Sequence, residues 1–219
     1  MKLMIGIPCG GRHPHPLIDP ALRACGIDAD VRVVSGMTPT ANFNTLLCMA
    51  ANEDCSHFIM LHSDVVPTSD GWAAMMLAIM AERKYAALSV VLPLRGDTIE
   101  TSTAAVIGNT TMRMTLPEAH QLPETFGLSE LRTLPSMTQA SALLINDGLL
   151  LIDLAQAQPS EGFIFHDQTW LISNANGKLA SDFMPEDWAY SLELARAGLP
   201  YGATTAIRAM HYGEKGWVN

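Results

Sequence analysis

Over the first 92 residues, short apolar runs alternate with segments of helical spacing. The runs "KLMIGIP", "DVRVVS", "HFIMLHS" and "AALSVVL" have the length and residue types of strands. Between them lie "PLIDPALRACG", "TANFNTLLCMAANE" and "SDGWAAMMLAIMAERK", whose apolar positions recur with a helical period. Ser69 and Asp70 open the third of these as N-cap candidates. The alternation predicts a β-α-β-α-β-α-β start, with parallel strands joined by crossover helices and hence an α/β fold. In such sheets ligands sit beyond the carboxyl ends of the strands, so "PCGGRHPH" after the first strand and "HSD" after the third share one rim.

Beyond about residue 93 the pattern changes. "TSTAAVIGNTTMRMTL" alternates and is rich in Thr, while "PEAHQLPETFGLSELRTLP" carries three prolines and reads as an irregular loop or lid over about 116–136. "SALLINDGLLLIDL" reads as a strand followed by a short helix, and "GFIFHDQTWLIS" is ambiguous. "PEDWAYSLELARAGLP" is the clearest helix: Pro185 suits the first turn, Glu186 and Asp187 complement the positive end, and Gly198-Leu199-Pro200 stops it. "YGATTAIRAMHYG" then reads as a last strand carrying His211. The whole reads as one domain, with no repeat and no linker.

Composition narrows the class. Of 219 residues, 48% are hydrophobic and 16% charged, so a sizeable core is expected and extensive disorder is not. The longest apolar runs fall short of the ~20 residues that span a bilayer. Pro8 and the following glycines interrupt the N-terminal stretch too early for a secretory leader. Cys9, Cys25, Cys48 and Cys55 form no Cys-x-x-Cys pair, which suits reduced thiols and a cytoplasmic location. A formal net charge of −9 argues against a broad nucleic-acid surface, and an acidic chain that handles an anionic ligand usually needs a cation.

The chemistry-bearing residues are read first from their types. A strand that releases Asp64 at its carboxyl end offers oxygen to Mg²⁺ or Mn²⁺, yet Ser63 and Asp64 read equally as turn residues ahead of Pro67. Glu186 and Asp187 read equally as helix-dipole complements. His13 and His15 lie in a proline-rich loop, and His166-Asp167 is a candidate for the acceptor side. Trp72 and Trp188 lie in helical segments, where core packing is the default; Trp217 is a candidate for stacking on sugar or base. The methionines of "AAMMLAIM" read as core filler.

Taken in order, "IGIPCGGR", "NTLLCMAANEDCSHFIMLHSDVVPTSDGW", "PEDWAYSLELARAGL" and the terminal "HYGEKGW" resemble the GT-A class of nucleotide-sugar glycosyltransferases, particularly small bacterial and viral relatives of glycosyltransferase family two. Residues from about 93 to 140 have no counterpart. The resemblance implies a single GT-A-like domain: a Rossmann-like mixed sheet of mainly parallel strands flanked by helices. It places a nucleotide-sugar and metal half at about 1–92 and an acceptor half at about 93–219. It implies that Pro8, Cys9, Gly10 and Arg12 line the nucleotide pocket, with Asn44, His62 and Ser63 beside them. Asp64 matches the final aspartate of the Asp-x-Asp metal motif, and His211 the C-terminal histidine that joins the metal. His62 stands where the first aspartate is expected and brings no negative charge.

On the acceptor side the resemblance implies Glu186 and Asp187 as catalytic carboxylates, with Asp187 the better base. One oxygen and one nitrogen ligand favour Mn²⁺, with Mg²⁺ possible. The implied reaction takes a sugar from a nucleoside-diphosphate sugar, UDP-sugar favoured, to an acceptor hydroxyl, with inversion preferred. The acceptor is open among a lipid-linked sugar, a polysaccharide, a small metabolite and hydroxymethylated DNA; only the last makes nucleic acid a partner. Two alternatives stand beside this: a nucleotidyltransferase on a similar sheet, and a degenerate nucleotide- or carbohydrate-binding module.

Overall fold

In the computed structural model the first apolar run forms β1 (Leu3–Cys9), followed by α1 (Ile18–Arg23), β2 (Asp30–Ser35), α2 (Pro39–Asn52), β3 (His57–Leu61), β4 (Val65–Pro67), α3 (Trp72–Arg83) and β5 (Ala87–Val90). The later chain adds β6 (Glu100–Ile107), β7 (Thr110–Thr115), α4 (Leu116–Ala119), β8 (Thr125–Phe126), α5 (Leu128–Leu131), β9 (Ala140–Leu144), β10 (Leu149–Asp153), β11 (Gln168–Ser173), β12 (Leu179–Met184), α6 (Glu186–Arg196), β13 (Tyr201–Thr204), β14 (Ala209–Tyr212) and β15 (Gly216–Val218). The structure describes residues 1–10, 13–94, 98–159, 164–173, 179–212 and 216–218. Arg12 of the expected nucleotide pocket lies outside these residues.

Seven strands form the main sheet in the order β2-β1-β3-β10-β5-β13-β8. The pairs β1–β2, β1–β3 and β5–β13 are parallel, whereas β10 runs antiparallel to both β3 and β5, and β8 antiparallel to β13. The expected mixed, mainly parallel α/β sheet is therefore present as one domain, with helices on its faces. Along β1 and β3 successive side chains enter opposite clusters. Met4, Phe58 and Met60 pack with α2 on one face, and Ile5, Ile7 and Ile59 pack with α1 and α3 on the other. Both faces of the sheet are covered, which explains runs that are apolar throughout. Its carboxyl ends stay open to a ligand.

The structure corrects three local expectations. "SALLINDGLLLIDL" is two strands, β9 and β10, not a strand and a helix; β10 wedges between β3 and β5 and buries Leu149 through Ile152. The last expected strand is split, its first part joining the main sheet and its second, β14, pairing with β4. Helix α3 starts later than Ser69: its N-cap is Gly71, at φ 68°, with no side-chain cap. Ser69 Oγ instead accepts from the Arg208 amide at 2.9 Å. The stretch 116–136 holds α4, β8 and α5, and sinks Leu122, Phe126, Leu131 and Leu134 into the core. Trp72 is fully buried and donates Nε1–H to the Ala21 carbonyl at 2.9 Å, so it serves packing. Among the described residues, no helix is long and apolar enough to cross a membrane.

Gly6 lets α2 lie close over β1. A Cβ there would stand 2.7 and 2.9 Å from the Phe58 ring and 3.1 Å from Leu46 Cβ. Gly6→Ala is predicted to lower stability by about 1–3 kcal/mol through overpacking. An unchanged urea midpoint would show that Phe58 yields without cost.

Candidate functional site

Strand β1 ends in buried Pro8 and Cys9 and then exposed Gly10, while β3 ends at Leu61 and turns through His62, Ser63 and Asp64. These two strand ends, the first turns of α2 and the start of α6 enclose a cleft of about 470 Å³. Its lining comprises Pro8, Gly10, His62, Ser63, Asp64 and Glu186, together with Pro39, Asn42 and Phe43. Six residues singled out from the sequence thus meet on one rim. Cys9 supports the wall from behind: its carbonyl accepts from Asn42 Nδ2 at 3.3 Å, and burial pushes its thiol up despite a bond with Ser63.

The pairing of β14 with β4 brings His211 opposite Val65, one residue beyond Asp64. The Tyr212 amide donates to the Asp64 carbonyl at 2.7 Å, and His211 Nε2 lies 3.9 Å from Asp64 Oδ2. His211 Nδ1 sits 3.0 Å from the Pro93 carbonyl, which can orient the ring. One carboxylate oxygen and one imidazole nitrogen are ligand types that suit a borderline divalent cation. Among the described residues no third Asp, Glu, His or Cys completes a three-ligand group there. His15 stacks on Tyr212 at 3.9 Å between ring centroids, and its amide donates to the Ser63 carbonyl at 2.8 Å. The histidine loop thereby packs against the Asp64 turn.

The other side of the rim is acidic. Asp147, in the turn between β9 and β10, is only 4% exposed. The turn is pinned: Ser89 Oγ donates to the Asn146 carbonyl at 2.7 Å, Asn146 Nδ2 donates to the Val90 carbonyl at 2.8 Å, and Asn146 Oδ1 accepts from the Gly148 amide at 3.0 Å. Asp147 Oδ1 lies 3.2 Å from His62 Nε2, close enough to pair though poorly aligned for a hydrogen bond; Asp147 Oδ2 is buried without a partner. Burial alone would lower the His62 imidazolium. The charge and proximity of Asp147, followed by those of Glu186 and Asp187, outweigh it and raise His62 above the ordinary histidine range.

Burial raises Glu186 first, and the charge of Asp147 next. Opposed by its own amide but reinforced by Asp167, these hold its carboxyl at about 7. Asp187 is raised well above the usual aspartate range by burial, then by Asp147 and Glu186, against the Trp188 amide and His62. Its Oδ1 accepts that amide at 2.7 Å. Asp187 is thus tied into its helix with its carboxyl held above the usual aspartate range, whereas Glu186 borders the cleft with its carboxyl at about 7.

Asn44, expected beside the nucleotide, is spent on the backbone. Its Nδ2 donates to the Phe165 carbonyl at 2.7 Å, and its Oδ1 accepts the Phe165 amide at 2.8 Å. Trp188 is buried under Arg113 and donates Nε1–H to the Ser102 carbonyl at 3.3 Å. Sequence reasoning missed Asp147, because "NDG" between two apolar runs has the composition of an ordinary turn. It also missed Asn42 and Phe43, which carry only a helical period.

No family model matches the chain, and no curated protein matches its sequence. Among solved structures the chain is similar to A197 from STIV, at a TM-score of 0.58 and 13% identity, over 97% of this chain and 86% of that one. It also aligns with CMP:2-keto-3-deoxy-manno-octonic acid synthetase complexed with CTP, at a TM-score of 0.44 and 13% identity, over 93% of this chain and 88% of that one. The first likeness shows a shared fold alone, and the second is too distant to add to it.

A carboxyl raised in the folded protein binds its proton more tightly there than in the unfolded chain. The stability from Glu186 is fully present below the ordinary glutamate range and is lost as pH rises through about 7. Tm is expected to fall between pH 5 and pH 8, with Glu186→Gln flattening that fall. Equal slopes in the two proteins would remove Glu186 from the linkage.

Proposed function

We propose that the chain is a metal-dependent transferase that moves a sugar from a nucleoside-diphosphate sugar, uridine favoured, to an acceptor hydroxyl. The observation that carries this reading is the meeting of Asp64 and His211 at a cleft that Glu186 also lines. Pro8, Gly10 and Ser63 border the nucleotide, and Asp64 with His211 hold Mn²⁺ or Mg²⁺. Bound there, the ion supplies Lewis-acid stabilisation of the charge that develops on the diphosphate. His62, whose protonated form the neighbouring Asp147 favours, brings positive charge to a rim otherwise rich in carboxylates.

The acceptor must lose a proton as it attacks. In this reading Glu186, in its ionised form, takes that proton while the acceptor oxygen bonds to the anomeric carbon. The bond to the diphosphate breaks, and its electron pair leaves with the phosphate oxygen. A base whose midpoint lies near the working pH suits this step better than an ordinary carboxylate. Asp187 is set aside as base because its Oδ1 already binds the Trp188 amide, whereas Glu186 lines the cleft. Attack in line with the departing diphosphate inverts the anomeric centre.

Thermal shift with nucleoside diphosphates, triphosphates and nucleotide sugars, each with and without Mn²⁺, tests the donor site. One nucleotide family is expected to raise Tm by several degrees only with metal, as ligand near 100-fold over Kd adds about 2.7 kcal/mol. Asp64→Ala is expected to abolish that rise, while Glu186→Gln keeps it and stops transfer. A preference for a triphosphate over every sugar nucleotide would replace the reading with nucleotidyl transfer. Binding indifferent to Mn²⁺ and to Asp64→Ala would leave a nucleotide-binding module.

A further inference from the structure

A second cavity, of about 430 Å³, opens between the β6–β7 hairpin, the end of β12 and helix α6. Its floor is apolar: Val106, Met184 and Leu192 pack there around Trp188. Trp188 is locked in place, with Nε1–H donated to the Ser102 carbonyl at 3.3 Å and the Arg113 guanidinium 4.7 Å from its ring centroid. Arg113 is held in turn by donation to the Thr101 carbonyl at 3.2 Å. The rim has a different chemistry. Ile107 pairs with Thr110, so Gly108 and Asn109 form a two-residue hairpin turn, and Gly108 at φ 59° supplies the positive φ that so tight a turn requires. The turn sets Asn109 and Thr110 at the cavity edge, and Phe183, 56% exposed, borders it from β12.

Among the described residues the lining carries no ionisable side chain, so a charged ligand would find no counter-charge in it. A purely hydrocarbon ligand would strip water from the Asn109 amide and the threonine hydroxyls without replacing their hydrogen bonds. A sugar ring suits both surfaces. Its C–H face packs on aromatic and aliphatic side chains, and its hydroxyls exchange hydrogen bonds with an amide and with other hydroxyls. The position favours a chain of sugars. Trp188 and Leu192, one turn apart on a single face of α6, line this cavity, whereas Glu186 lines the first cleft. Positions 186 and 188 point about 200° apart around the helix, so the two cavities flank the start of α6.

We propose that this cavity binds a neutral sugar residue of an oligosaccharide acceptor, one or more residues removed from the hydroxyl that reacts. The proposal rests on the transferase reading above and names the class of its acceptor. Phe183 and Trp188 supply the apolar surface, and Asn109 supplies directional hydrogen bonds. A chain held there gains binding energy away from the reacting bond and delivers its end to the side of α6 that carries Glu186.

Titration of the full chain, labelled with nitrogen-15 tryptophan, tests the cavity with neither nucleotide nor metal present. The probes are maltose, cellobiose, lactose and N,N′-diacetylchitobiose. The Trp188 indole signal, assigned through Trp188→Phe, is expected to shift saturably with at least one of them. Phe183→Ala and Asn109→Ala replace exposed side chains, and each is expected to keep the urea midpoint while weakening that binding about five- to tenfold. Silence from every saccharide, or binding that neither substitution weakens, overturns the proposal. A shift with decanol but with no saccharide also overturns it, in favour of a lipid chain. Because the donor site is not engaged, a failed nucleotide shift leaves this result readable. Saccharide silence beside a metal-dependent nucleotide shift removes the acceptor class and keeps the transferase.

Discussion

The contact between His62 and Asp147 sets the electrostatics of the rim. Asp147 is delivered to a buried place by a turn whose Asn146 and Gly148 groups are committed to hydrogen bonds. A buried carboxylate without a counter-charge is costly, and the imidazole 3.2 Å away is able to supply one. This gives a physical reason for an imidazole at position 62. An aspartate there would face Asp147 with a like charge, with Glu186 and Asp187 beyond.

Asp147 is present because β10 runs backwards between β3 and β5. In a wholly parallel sheet the carboxyl rim would carry only strand ends. An antiparallel strand contributes its beginning to the same rim, and so places the turn before β10 beside His62. Helix α6 is tied to that turn: Ser191 Oγ accepts the Ile145 amide at 2.9 Å and donates back toward the Asp187 carbonyl at 2.8 Å. The acidic turn is therefore bonded to the acidic helix start, which holds Asp147 close enough to raise Glu186 and Asp187.

What was legible in the sequence follows the range of the interactions involved. Strands β1, β2, β3 and β5 and helix α6 are encoded by local period and by punctuation such as Pro185 and Gly198, and each was readable. The rim position of Pro8, Gly10, His62, Ser63 and Asp64 followed from the rule that strands open at their carboxyl ends. The insertion of β10 and the pairing of β14 with β4 depend on partners far away in the chain, and no local pattern records them. The Asn44 side chain shows the same limit: its residue type suits a ligand, yet its bonds go to Phe165, 121 residues later. The late start of α3 is a local failure, because Gly71 at positive φ serves as cap where Ser69 and Asp70 looked better suited.

The choice between Glu186 and Asp187 turns on a balance of burial against access. Adjacent helix positions point about 100° apart, so two neighbouring acids cannot share one environment. Glu186 takes the direction of the cleft. Asp187 turns back onto the Trp188 amide and satisfies one of the donors left open at the helix start. Asp187 thus serves the helix start, and the role at the cleft passes to the neighbour that a ligand can reach. The dipole of α6 favours negative charge at both positions, but desolvation and the charge of Asp147 outweigh it at both.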